Sequence, residues 1–159
     1  MEMRPNKTTG SPGRTHRFLD TNVCPQCLSW PFGYGESYTT FSLAWTAPFP
    51  TSVSAGDETA FALTLTNTGG LVGDVVVTCY VVAVKQSAVK HPPLQQLFAF
   101  ERAESVGSNG GTAVLAFTLT PEGRTLVTEE GTQVAAAGDF KVLCTAGGVV
   151  TISANLTVL

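Results

Sequence analysis

The residues able to do chemistry fall into a few groups. Twelve carboxylates are spread over turns and strand ends. Hydrolysis by a carboxyl pair needs two of them about 5 Å apart across the reacting bond. Glu129 and Glu130 are adjacent, but neighbours on an extended chain point to opposite faces. The carboxylates by themselves single out no catalytic pair, and no catalytic residue is assigned. Cys24-Pro-Gln-Cys27 has the spacing of half a zinc site or of a redox pair. A structural zinc needs four ligands, and the chain has only two histidines, His16 and His91, to add. A redox pair wants a helix N-terminus to lower one thiol pKa, and no helix is expected there. The expectation is a loop insertion or a local disulfide, with no metal and no cofactor. Cys79 and Cys144 sit on the apolar faces of expected strands. Buried free thiols acting as small hydrophobes are expected; a cross-strand disulfide is the sharper alternative.

Aromatic side chains are concentrated in one stretch. Seven of the fourteen lie between Trp30 and Phe49. An exposed, coplanar set of Trp30, Tyr34 and Tyr38 would mark a strip for polysaccharide. Rings folded onto their neighbours would mark a seal, and sealing is expected, since aromatics carry large buried areas. Arg14, Arg17 and Arg102 can each hold a carboxylate through two parallel hydrogen bonds. Glu101-Arg102 reads as a structural ion pair, worth about 0–1 kcal/mol if exposed. Asn6-Lys-Thr8 and Asn155-Leu-Thr157 are N-glycosylation sequons. Asn155 falls on the polar face of the last expected strand, where it is accessible, and its modification requires a secretory route.

Bulk composition narrows the class. The chain of 159 residues is 43% hydrophobic and 13% charged, which suits one globular domain with an appendage. A net charge of −3 without a basic cluster argues against nucleic acid. No run of about 18 apolar residues is present, so no membrane span is expected. The first residues lack the apolar core of a signal peptide.

The elements that must position these residues are strands. Residues 1–37 show no sustained period and are rich in Gly, Pro, Ser and Thr, so they cannot offset their own ordering entropy and must drape over something else. From Tyr38 the pattern alternates. Phe41, Leu43 and Trp45 share one face, then Phe61, Leu63 and Leu65 within Thr59 to Asn67. Asp74 to Val84 is apolar on both faces, which places it centrally with cover on each side. Pro92 to Arg102 carries no strand assignment, and Ser105 to Gly111 is a loop. Thr112 to Thr120 alternates again, a short irregular strand lies around Leu126, and Asp139 to Thr145 and Val149 to Val158 complete the set. About seven short strands between turn signals, with no convincing helix, predict an all-β, immunoglobulin-like antiparallel sandwich of the fibronectin type III kind.

Two groups of motifs then resemble a known family. Met3-Arg-Pro5, Gly10-Ser-Pro-Gly-Arg-Thr-His-Arg-Phe18 and Trp30 to Phe41 (WPFGYGESYTTF) are similar to the join before the C-terminal domain of glycoside hydrolase family 3, in its β-xylosidase and α-arabinofuranosidase branch. LTNTGGLVGDVVVTCYV, PLQQLFAFERAES and LVTEEGTQVAAAGDFKV resemble the fibronectin type III-like domain that follows. His16 replaces the usual Tyr, Glu36 the usual Leu and Ala99 the usual Gly. The stretch between Phe18 and Pro31 is longer than usual and contains the Cys24–Cys27 motif.

The resemblance implies a chain that begins inside that architecture, without the barrel that carries the nucleophilic aspartate or the part that supplies the acid/base. It implies a linker over 1–37, a fibronectin type III-like domain over 38–159, and the family's catalytic domains as partners in cis. Arg14 and Arg17 would lie near the seam as positioning residues. The parent would hydrolyse β-xylosyl or related bonds outside the cell, and this chain alone would not. A stand-alone polysaccharide-binding module is the alternative.

Overall fold

A computed structural model describes residues 2–20, 22–85 and 89–159. Its leading segment holds a two-residue antiparallel pair, β1 (Pro5–Asn6) with β2 (Ser11–Pro12), and a single helical turn, α1 (Thr15–Phe18). The remaining elements are strands: β3 (Phe41–Trp45), β4 (Ser52–Val53), β5 (Thr59–Asn67), β6 (Gly73–Lys85), β7 (Gln96–Val106), β8 (Thr112–Leu119), β9 (Thr125–Val127), β10 (Gln133–Ala135), β11 (Gly138–Ala146) and β12 (Val150–Val158). A three-stranded sheet runs β3-β5-β8 and a five-stranded sheet β4-β12-β11-β6-β7, while β9 and β10 pair separately. Every pairing is antiparallel except the short β4–β12 contact. This is the expected β-sandwich.

Period-two burial builds the core. Leu63 and Leu65 of β5 and Leu119 of β8 are fully enclosed, and Phe117 nearly so. They belong to one cluster with Val77 and Val81 of β6, Phe140 and Val142 of β11, and Leu156 and Val158 of β12. Fully burying one such side chain contributes about 1.5–3 kcal/mol. The exposed face of β5 carries Thr64, whose hydroxyl bonds that of Thr46 at 2.9 Å.

β6 lies inside its sheet, between β11 and β7, as its composition predicts. Cover on its outer face is partial. Thr78 and Tyr80 are buried there, but Val76 and Val84 remain exposed. The cover comes from the leading segment, where the Tyr80 hydroxyl donates to the Phe32 carbonyl at 3.4 Å.

β7 corrects the reading of 92–111. It is an eleven-residue edge strand on β6, and it runs through Val106, into the stretch expected to be loop. Its ladder shifts register between Gly73 and Val75 and again between Cys79 and Tyr80. Each irregularity sets unequal numbers of residues opposite one another, so the alternation that would reveal the strand is broken.

The free-thiol expectation for Cys79 and Cys144 is also corrected. The two residues face each other across the β6–β11 ladder, their Cα atoms 4.1 Å apart, and they are disulfide-bonded. Two strands far apart in sequence bring them together through register alone.

Two buried polar side chains hold the connections. Asn67 ends β5 with no exposed surface. Its Nδ2 donates to the carbonyls of Leu71 (2.7 Å) and Val106 (2.9 Å), and its Oδ1 accepts from the Thr39 hydroxyl (2.7 Å) and the Gly69 N–H (3.0 Å). Arg124, 1% exposed, points Nη2 at the carbonyls of Ser54 (3.2 Å), Ala55 (2.7 Å) and Asp57 (2.7 Å). Burial pulls its pKa below the ordinary arginine value.

Asn67→Ala is expected to cost about 3 kcal/mol in urea unfolding, because it strands the buried Val106 carbonyl, the partly buried Leu71 carbonyl and two donors. An unchanged midpoint would show that those groups find other partners. Loss of the Cys79–Cys144 bond, through Ala at both positions, removes a closure of 65 residues. The chain-entropy relation puts that at about 4 kcal/mol, to be read as the stability difference between the two proteins under non-reducing conditions.

Candidate functional site

The leading segment crosses the outer face of the five-stranded sheet, and glycine makes the crossing feasible. Gly33 has φ +83°, and a Cβ there would press on the Tyr80 hydroxyl at 3.2 Å. Gly148 has φ +71°, and a Cβ there would meet the Tyr34 backbone at 2.7 Å. Between these points the Gly35 N–H donates to the Gly147 carbonyl at 3.1 Å. The Gly147-Gly148 pair therefore turns the chain and also admits the crossing strand of backbone.

Arg17 anchors the same segment to the start of β7. Its Nη2 donates to Gln96 Oε1 at 2.7 Å, and its carbonyl accepts from the Leu94 N–H at 2.7 Å. Arg14 contributes a backbone N–H to the Met3 carbonyl at 2.9 Å. His16 stacks on Phe32 with ring centres 4.3 Å apart. Burial, with the neighbouring Arg17 charge, lowers its pKa. Between the segment and the sheet lies a cleft of about 530 Å³ lined by His16, Trp30, Phe32, Tyr80, Leu143 and Thr145.

The aromatic run divides. Trp45 and Phe49 pack on Phe61 at 5.5 and 5.3 Å, sealing one edge of the core as expected. Trp30 stacks on Tyr34 at 4.4 Å and 23°, and Trp30 still keeps 61% of its surface exposed. Tyr38 stands in solvent, 97% exposed. Trp30, Tyr34 and Tyr38 therefore form no coplanar strip.

Tyr38 belongs instead to an apolar end of the sandwich. It lines a groove of about 640 Å³ with Phe41 and Val149. Leu71 and Val72 precede Gly73, whose Cα side abuts Thr39. Leu71, Val72 and Val149 are all more than half exposed. Asn67 is the common tie of these loops, through Thr39, Gly69 and Leu71. Sequence reasoning missed this end, since scattered apolar loop residues carry no period. The signal was their adjacency to turn residues at Asn67–Gly70 and Gly147–Gly148.

The ionic candidate is corrected, while the Cys24–Cys27 pair is the local disulfide named among the expectations. Arg102 pairs with Asp74 at 2.6 Å and with Glu104 at 3.4 Å. Glu101 is its chain neighbour and points to the other side, so the Glu101-Arg102 reading gives way to Asp74-Arg102. Cys24 and Cys27 form a disulfide beside a single 3₁₀ turn, Pro25–Cys27. Among the described residues no three His, Cys, Asp or Glu side chains gather to hold a metal.

The Ser105 N–H bond, then Arg102, hold the Asp74 carboxyl below the usual aspartate range. A depressed folded-state pKa gives stability that is present above the unfolded value and lost as pH falls through the folded one. Asp74→Asn should flatten the acid limb of a stability–pH curve below the ordinary aspartate pKa. Superimposable acid limbs for the two proteins would show that the pair contributes nothing. The groups are exposed, so any effect is screened by salt.

No protein-family model matches the chain. Individual proteins do. It is 31% identical over 120 residues to a probable exo-1,4-beta-xylosidase, bxlB, of Aspergillus flavus, covering 67% of this chain and 14% of that protein. It is 29% identical over 154 residues to the exo-1,4-beta-xylosidase bxlB of Emericella nidulans, covering 90% of this chain and 19% of that one. Among solved structures, a beta-glucosidase from Listeria innocua overlays with a TM-score of 0.72 at 24% identity, over 82% of this chain and 18% of that one. A beta-glucosidase from Kluyveromyces marxianus overlays at 0.67 and 27% identity, over 80% and 15%. The chain spans less than a fifth of the curated relatives it matches. With the PGRTHRF and PFGYGESYTTF motifs, these overlaps match it to a small portion of the family 3 glycoside hydrolases, consistent with their C-terminal domain.

Proposed function

We propose that this chain is the non-catalytic C-terminal part of a family 3 glycoside hydrolase and that it docks on, and stabilises, the catalytic domains of that enzyme. Residues 1–37 are then the linker and 38–159 the fibronectin type III-like domain. The parent activity is hydrolysis of O-glycosyl bonds of the β-xylosidase type, in xylan or arabinan breakdown outside the cell.

The observation that carries the reading is the apolar end. Monomers rarely leave contiguous apolar surface uncovered without a partner. Tyr38, Leu71, Val72 and Val149 are each exposed, and Tyr38 and Val149 line one groove beside the motif by which the chain enters the sandwich. A neighbouring domain in cis would meet that end first. The disulfides support a location outside the reducing cytosol. Trp30 and Tyr34 stack on each other rather than lying side by side with Tyr38, which counts against a coplanar platform for polysaccharide.

The test is a chimera. The matching stretch of the Emericella nidulans xylosidase is replaced by this chain and compared with the same enzyme truncated before it. The chimera is expected to melt higher than the truncated form and to retain more xyloside hydrolysis. Tyr38→Ser with Val149→Ser should erase that gain while leaving the melting of the isolated chain unchanged. A chimera no more stable than the truncated enzyme would sink the docking role.

A further inference from the structure

We propose that Asn155 is an N-glycosylation site and that the outer face of β12 is the solvent-facing, sugar-bearing side of the molecule. The sequon Asn155-Leu-Thr157 lies wholly within β12. The alternation of the strand sends Leu156 into the core at 1% exposure and turns Asn155 outward, exposed. Its neighbours on that face are Thr151 and Ser153, both exposed, and the Lys141 directly opposite it on β11. Leu143, opposite Ser153, is the apolar neighbour on that face, half-buried towards the leading segment, while the residues in line with Asn155 are polar, so a bulky, hydrated substituent there projects from polar surface.

The strand position adds a second reason. β12 pairs with β4 only at Thr157 and Val158. Its outer edge from Val150 to Asn155 has no ladder partner among the described strands. An open edge is a template for pairing with another chain, and proteins cover such edges. A glycan on Asn155 shields this one sterically.

The oxidation state gives a third. All four cysteines are disulfide-bonded, a usage of oxidising compartments, where N-glycosylation also takes place. In the transfer, Asn155 Nδ2 loses a proton and bonds to C1 of an oligosaccharide. The bond from C1 to the oxygen of a lipid diphosphate breaks, and the lipid diphosphate leaves. No electron donor or acceptor is needed.

The second sequon is the poorer acceptor. Asn6 is half-buried, its Nδ2 donates to Glu2 Oε1 at 2.9 Å, and its Oδ1 accepts the Thr8 and Thr9 N–H groups at 2.9 and 3.4 Å. Sugar on Asn6 would break that turn. This inference stands on β12 and the disulfides, not on the docking end.

The full chain, placed behind a cleavable secretory leader, is translated with microsomes, so the readout needs no secretion. One mobility shift that peptide N-glycosidase removes is expected. Asn155→Gln should lose it, and Asn6→Gln and Thr157→Ser should keep it. No shift, or a shift that survives Asn155→Gln, would overturn the site. A second sugar lost in Asn6→Gln would overturn the preference between the two. Mass spectrometry of the peptide around residue 155, deamidated only after enzyme treatment, checks the assignment directly.

Discussion

A buried amide at Asn67 is the constraint on which one end of this molecule depends. A primary amide offers two donors and two acceptor positions, and here all four are used. The partners come from the entry of the chain, the β5–β6 loop and the end of β7. A buried polar group left half satisfied would be worse than none, so these three segments must arrive together around the end of β5. The loops that present Tyr38 and Leu71 are therefore held in place by a group that none of them contains. Arg124 does the corresponding work at the opposite end, where one guanidinium gathers three carbonyls from the turn after β4.

Most of the fold was legible because one-sided burial writes itself into the chain with period two. Thr59–Asn67 is the clearest case: its strand limits coincide with its alternation. The elements that escaped are those whose reason is nonlocal. β7 hides behind two register shifts and an exposed Phe100. The Cys79–Cys144 bond depends on how two strands slide past each other, which neither strand records. Arg124 sits in a polar stretch with no period, and its carbonyl partners lie about seventy residues upstream. Val76 and Val84 mislead in the other direction, since their β-branched side chains suit an open pleat as well as a closed one.

The aromatic stretch shows how far residue type alone can carry a site. Seven rings in twenty positions promised either a seal or a platform, and the chain uses them for both sealing and mutual stacking. What decides is the path of the backbone. Where β3 enters the sheet, Phe41 and Trp45 turn inward. Before it, the chain crosses the sheet at Gly33 and Gly148, and Trp30 and Tyr34 meet each other instead. Positive φ together with close backbone approach favours glycine at Gly33 and Gly148, so these two glycines shape what the aromatics of the entry can do.

The short parallel contact of β4 with β12 has a mechanical consequence. Val53 and Thr51 bond Leu159 and Thr157, and Ala55 bonds back to Leu159, so the final strand is gripped at its tip. The chain enters the sandwich at the Tyr38 end and finishes at the other. Tension applied between those points runs along the strands, and antiparallel hydrogen bonds lie across that direction. The nine-residue ladder of β12 on β11 is then loaded in shear, with its bonds sharing the force rather than opening one by one. A domain tethered through this entry would resist pulling far better than it resists being peeled from an edge.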